Sequence, residues 1–196
     1  MDLMGTAKVK ATLADGTDVL AATVEAGTAL EEWRKLRAEH AASGLWPFLV
    51  DPGEPTVLEG LPRSVEPREH HRSAAEIFAN GKAVTPEAEA DQESSAALTT
   101  TIGLIPAEYG GVEIPALLDW DAAPGLSGLE HTAVLADWRR RFGAELLTLT
   151  RDRIELFVPR PPTEATAVAA LRLEQAGYCA GTCSSATGTL WAFQWV

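Results

Sequence analysis

The chain has 196 residues, 46% hydrophobic and 22% charged, the composition of a globular protein rather than a disordered or fibrous one. A single domain of this length buries roughly 70% of the surface its unfolded chain exposes, so a core needs no disulfide staples. Sixteen Lys and Arg against 28 Asp and Glu give a formal charge of −12, which disfavours nonspecific binding to nucleic acid or an anionic membrane and favours a basic partner.

In chain order, "AKVKATLADGTDVLAATVEAG" predicts a hairpin, two β-prone runs about an Asp15-Gly16 turn. Thr28 is placed to cap the helix "ALEEWRKLRAEHAAS", in which Leu30, Trp33, Leu36 and Arg37 follow helical spacing and Gly44 is the stop. "LWPFLV" reads as a short buried strand whose Pro47 points to an edge or a bulge. Residues 51–97 are largely loop-like: "DPGEPTVLEGLPRSVEPREHHRS" is rich in Pro and Gly, "TPEAEADQESS" is an acidic solvated face, and only "SAAEIFANG" between them looks helical.

"LTTTIGLIPA" predicts a strand ended by Pro106, and "GGVEIPALLDW" a glycine turn and short helix leading to Trp120. Ser127 and Glu130 fit a capping box at the start of the clearest helix. Leu135, Trp138 and Phe142 share one face there, Arg139 to Arg141 suit its negative end, and Gly143 ends it. Two strands follow, "AELLTLT" and "RIELFVPR", joined at Arg151-Asp152. In the second, Ile154, Leu156 and Val158 alternate with Arg153 and Glu155, predicting one buried face and one that largely meets water. "PPTEATAVAALRLEQAG" predicts a last helix stopped at Gly177, and "GTLWAFQWV" a strand apolar on both faces, suited to the middle of a sheet. The expected fold is α+β: a hairpin over residues 1–27, then a single domain over 28–196 with a mainly antiparallel sheet, helices packed on it and a loop-rich acidic segment at about 51–97.

From residue 30 onward the chain resembles a bacterial family catalogued as domain of unknown function 4253. The resemblance is carried by "GLWPFLV", "GLIPAEYGGVEIPALLDW", "AVLADWRRRFGAELLTLTRDRIELFVPRPP" and the ending "GYCAG … WAFQWV", and Trp138 to Ala144 with a Pro-Pro pair downstream is its most specific block. It covers residues 30–196 apart from the weakly patterned middle. It implies a single α+β domain and carries over no catalytic residue. The chain departs from the family in two places: Ala180-Gly181 stands where members have Pro-Asp after the cysteine, and only "TCSSATGT" replaces a further helix before the tryptophan-rich end.

The chemistry-bearing residues are few. Cys179 and Cys183 are the only cysteines. Their Cys-x3-Cys spacing supplies two of the three or four ligands zinc needs, so His70, His71 or His131 would have to complete a site through the fold. A redox pair would favour two intervening residues and a helix start that lowers the thiol pKa. Cys179 as a small buried residue beside the final strand is preferred over either. Glu69-His70-His71 lacks zincin spacing and reads as a surface loop. His131, beside Glu130, has a pKa suited to acid or base work, but no nucleophile pairs with it, and a surface or partly buried histidine is expected. "EYGGVEI" is no phosphate loop and "SSATGT" no nucleophile elbow. Trp46, Trp120, Trp138, Trp191 and Trp195 read as core rather than as a ligand pocket.

No catalytic residue, metal or cofactor is therefore expected. The leading reading is a non-catalytic protein-binding module of immunity or accessory type, with an acidic surface for a basic protein partner and no affinity for nucleic acid or membrane. An enzyme or small-ligand protein with a pocket near the C-terminal strand, and a structural component whose N-terminal hairpin adds a strand to a neighbour's sheet, are the alternatives. The opening "MDLMGTAKVKATLADG" lacks the apolar stretch of a secretion signal, no run of about 18 apolar residues occurs, and two cysteines make no disulfide framework. A cytoplasmic location with reduced thiols is the expectation.

Overall fold

The computed structural model describes residues 3–51, 57–59, 61, 70–81, 94–120, 125–183 and 186–195. Most of the acidic run, and Glu69 of the Glu-His-His triplet, lie outside the described residues. Helices α1 (Leu3–Thr6), α2 (Ala29–Ser43), α3 (Ala74–Phe78), α4 (Ile114–Leu117), α5 (Gly128–Phe142) and α6 (Ala165–Tyr178) surround one sheet. Its strands are β1 (Lys8–Thr12), β2 (Asp18–Thr23), β3 (Leu45–Leu49), β4 (Thr101–Pro106), β5 (Glu145–Leu149), β6 (Arg153–Phe157), β7 (Thr182–Cys183) and β8 (Leu190–Gln194). They lie in the order β1-β2-β4-β3-β5-β6-β8-β7. Among the described residues the β3–β5 pair is parallel and the other six are antiparallel. The protein is thus a single α+β domain, and the hairpin is the outer part of the same sheet, because β2 pairs with β4.

Local chemistry sets the element ends. The α2 and α5 helices stop at Gly44 and Gly143, whose φ of 70° and 73° place them in the left-handed region that glycine tolerates best. Ser127 and Glu130 form the expected capping box on α5, and Ser73 and Glu76 form another on α3. Thr28 stands at the start of α2 without capping it: its hydroxyl donates to Glu25 O at 2.8 Å instead.

Three further expectations are corrected. Pro47 lies neither at an edge nor in a bulge but in β3, between β4 and β5. The missing N–H is tolerated because the recorded β3–β5 pairing is at Leu49 and Thr148. Near Pro47, Leu146 of β5 gives its N–H to Gly110 O and its carbonyl to the Trp46 indole, both at 3.0 Å. Gly177 does not stop the last helix, which continues to Tyr178. Its lack of a side chain serves packing: a Cβ there would stand 2.8 Å from Ile77 O and 2.9 Å from Gly81 N. Because backbone atoms block the space, Gly177→Ala is expected to cost about 1–3 kcal/mol as α3 and α6 are forced apart, read as a lower denaturant midpoint at unchanged m-value.

The third correction concerns β6. Ile154 and Leu156 are buried as expected, but the opposite face is largely covered rather than wet. Phe157 lies edge-on to Trp33 of α2 at 6.1 Å, and Glu155 is fully buried. The cover consists of α2 and the 3-10 turn Ser95–Ala97. Ser95 N–H and Ser94 Oγ each donate to the Glu155 carboxylate at 2.9 Å, Thr148 Oγ1 donates at 2.8 Å, and Arg153 pairs with it at 2.7 Å. Helices on both faces therefore give the sheet two cores.

The second core centres on Trp138. Its ring stacks on Phe193 at 5.1 Å and Phe78 at 5.7 Å, and meets Tyr178 and Trp191 edge-on. Burying one such aromatic is worth roughly 1.5–3 kcal/mol, and each ring pair adds about 0.5–1.5. This aromatic packing fixes α5 and α6 relative to β8, and so fixes the cleft described next.

Candidate functional site

At one end of the second core, the α5 N-terminus, the α6 C-terminus and the end of β8 meet. His131 lies one residue past the α5 capping box and is fully buried, beyond the surface or partly buried position expected of it. The reason is tertiary: Trp120, Tyr178 and Trp195 enclose its ring at centroid distances of 4.6, 5.4 and 5.4 Å. Its Nδ1 shares a 2.7 Å hydrogen bond with the Tyr178 hydroxyl, and its Nε2 has no partner among the described residues. Trp120 is held in turn by its indole N–H, which donates to Thr150 O at 2.7 Å.

Burial disfavours charge on both members of this pair. The imidazole is lowered to about 3 and the phenol is raised well above its ordinary value. Both are neutral near neutral pH. Beside them Arg72 Nε binds Glu130 at 2.7 Å, and Arg72 N–H donates to the same oxygen at 3.1 Å. Burial pushes the Glu130 carboxyl upward, but the Arg72 side chain, Ser127 N–H and Arg72 N–H outweigh it and bring it down to about 2. The charges at this corner are thus spent on each other.

A cleft of about 680 Å³ opens here, lined by Arg72, Asn80, Leu126, Tyr178, Gly181, Trp195 and their glycine neighbours. It offers an aromatic wall, a partly exposed guanidinium and little else that is charged. Of the residues singled out from sequence, His131 stands directly behind this wall, and Cys179 borders it, buried between Tyr178 and Ala180. His70 and His71 are exposed, and His71 Nδ1 lies 3.1 Å from Ser127 Oγ. Among the described residues, no three His, Cys, Asp or Glu side chains are grouped to hold a metal ion, and no helix is long and apolar enough to cross a membrane. Sequence reasoning missed Arg72, which carries no local signal, and treated Tyr178 only as a neighbour of the cysteines.

The fold and cleft define an α+β protein with a two-sided sheet and a neutral aromatic corner. Residues 101–194 match the family described as Domain of unknown function (DUF4253), which shows the resemblance for that part of the chain. No curated protein and no solved structure matches the chain. The matched span holds His131 and Tyr178, whereas Arg72 and Trp195 lie outside it.

Proposed function

We propose that this chain is a non-catalytic binding protein of immunity or accessory type, that it engages a basic protein partner in the cytoplasm, and that the cleft beside Trp195 belongs to the contact surface. The observation that carries this reading is the state of the His131–Tyr178 pair. Acid–base catalysis works best with a group titrating near the operating pH, and this pair is held neutral far from it. The charge distribution supports the choice of partner. Arg37, Arg72, Arg139, Arg141 and Arg153 are engaged by carboxylates of the same chain, so the −12 excess resides on the remaining surface, where Asp15, Asp18 and Glu25 are exposed.

The test is to isolate the protein with its partner from its source and measure association across ionic strength. Steering by opposite charge predicts an on-rate that falls at least about tenfold between low and high salt, and a Trp195→Ala variant that folds but releases the partner faster. An association indifferent to salt would sink the proposal.

A second reading, small-ligand binding, is favoured by the cleft volume and by the unpartnered Nε2 of His131. Native mass spectrometry separates the two, because a retained organic molecule and a retained protein differ in mass. Strand addition by the hairpin is disfavoured: the exposed edge strand β1 carries Lys8 and Lys10 and a bulge between Val9 and Ala11, features that block edge pairing.

A further inference from the structure

We propose that Cys179 and Cys183 are a peroxide-sensitive thiol pair that closes into a reversible intramolecular disulfide. Both are thiols in the structure. Cys179 ends α6, its N–H donating to Gln175 O at 2.8 Å, while Cys183 belongs to β7 and pairs with Phe193 of β8. The chain reverses sharply between them. Gly181 is pressed so close to β8 that a Cβ would stand 2.0 Å from Gln194 O.

The reversal brings the Cys183 sulfur back beneath the helix end. It lies 3.5 Å from Cys179 O and 3.9 Å from Gln175 O, while the Cys179 sulfur faces Gln194 O at 3.4 Å. Interaction with the neighbouring thiol lowers Cys179 and, together with burial, raises Cys183. The Cys183 thiol, with two carbonyl acceptors facing it, is the proton-bearing partner, and Cys179 takes the role of nucleophile. This arrangement, not the two-residue spacing or the helix start of familiar redox motifs, prepares the pair. Cys183 is half-buried, and Ala180 and Gly181, between the two thiols, are exposed along the cleft, the side from which hydrogen peroxide would approach.

The chemistry balances in two steps. The Cys179 thiolate attacks one peroxide oxygen, forming an S–O bond as the O–O bond breaks, and the departing hydroxide takes up a proton to become water. Cys183, giving up its proton, attacks the sulfenic sulfur; the S–S bond forms, the S–O bond breaks, and the second hydroxide leaves as water with that proton. One hydroperoxide is reduced, and two thiols are oxidised. Because Tyr178, Ala180 and Gly181 line the cleft, the new bond would stiffen its wall.

The full chain, first reduced, is treated with one equivalent of hydrogen peroxide and followed by intact mass and peptide mapping. Expected are loss of two hydrogens, a peptide linking Cys179 to Cys183, a thiol count falling from two to none, and full reversal by dithiothreitol. In Cys183→Ser, dimedone should trap a sulfenic acid on Cys179 and no linked peptide should form. Thiols that survive while a small reference thiol is consumed would overturn the proposal. So would oxidation ending in sulfinic acid, or bonds formed only between chains.

Discussion

Glu155→Ala is expected to remove about 3–5 kcal/mol of stability, the largest single-residue loss anticipated outside the aromatic core. The carboxylate is fully buried, and four donors converge on it: Ser94 Oγ, Ser95 N–H, Thr148 Oγ1 and the Arg153 guanidinium. Truncation strands all four, and a buried donor without an acceptor costs about 1–3 kcal/mol, more when it is charged. Arg153 is the critical one, since its side chain is only 13% exposed and cannot turn fully to water. Glu155→Gln keeps an acceptor and most of the volume but loses the ion pair, so its loss should be smaller. Urea unfolding of the three proteins checks this. For a domain of this size the alanine variant should melt roughly 10 °C lower. A shift below about 1 kcal/mol for alanine would mean that water, not the carboxylate, satisfies those donors.

Glu155 also shows where sequence reading stops. Its alternation with Ile154 and Leu156 is the pattern of a strand with one wet face, and nothing within β6 distinguishes that from a strand covered on both sides. The cover is a 3-10 turn at residues 95–97 that adjoins a segment with almost no periodic signal. Local signals were legible at most helix ends: Ser127 with Glu130, Gly44 and Gly143 set the ends of α2 and α5 where the residues place them, although Thr28 bonds back to Glu25 instead of capping α2. Gly177 was misread because a glycine chosen for close helix contact looks the same in sequence as a glycine chosen for a stop. The tryptophans were legible as core, and all five considered are buried. The site itself was only half legible. Tyr178, His131 and Trp195 stand in readable elements, but Trp195, which helps enclose the histidine, reaches it from a distant part of the chain, and Arg72 comes from a Pro- and Gly-rich stretch without pattern.

The enclosure of His131 leads to the second large effect, a loss of stability in mild acid. An unfolded chain holds this imidazole at about 6.5, whereas burial brings it to about 3 in the fold. Between those values the unfolded state binds the proton and the folded state does not, so unfolding is favoured progressively as pH falls. The contribution is complete above about 6.5 and is lost toward 3, at up to about 1.4 kcal/mol per pH unit and roughly 5 kcal/mol across the window. Glu130 has the same sign, but with a folded value of about 2 against 4.5 its loss begins only below the ordinary carboxyl range. The interval from pH 7 to pH 5 therefore isolates the histidine, and there it should account for about 2 kcal/mol. His131→Asn supplies a matched reference, since its amide can keep a hydrogen bond to the Tyr178 hydroxyl and does not titrate. Urea unfolding of both proteins at several pH values should give a steeper decline for the wild type, with the curves converging toward acid. Parallel curves would mean that His131 takes up its proton without unfolding, and that the aromatic enclosure of Trp120, Tyr178 and Trp195 opens to water far more readily than its packing implies.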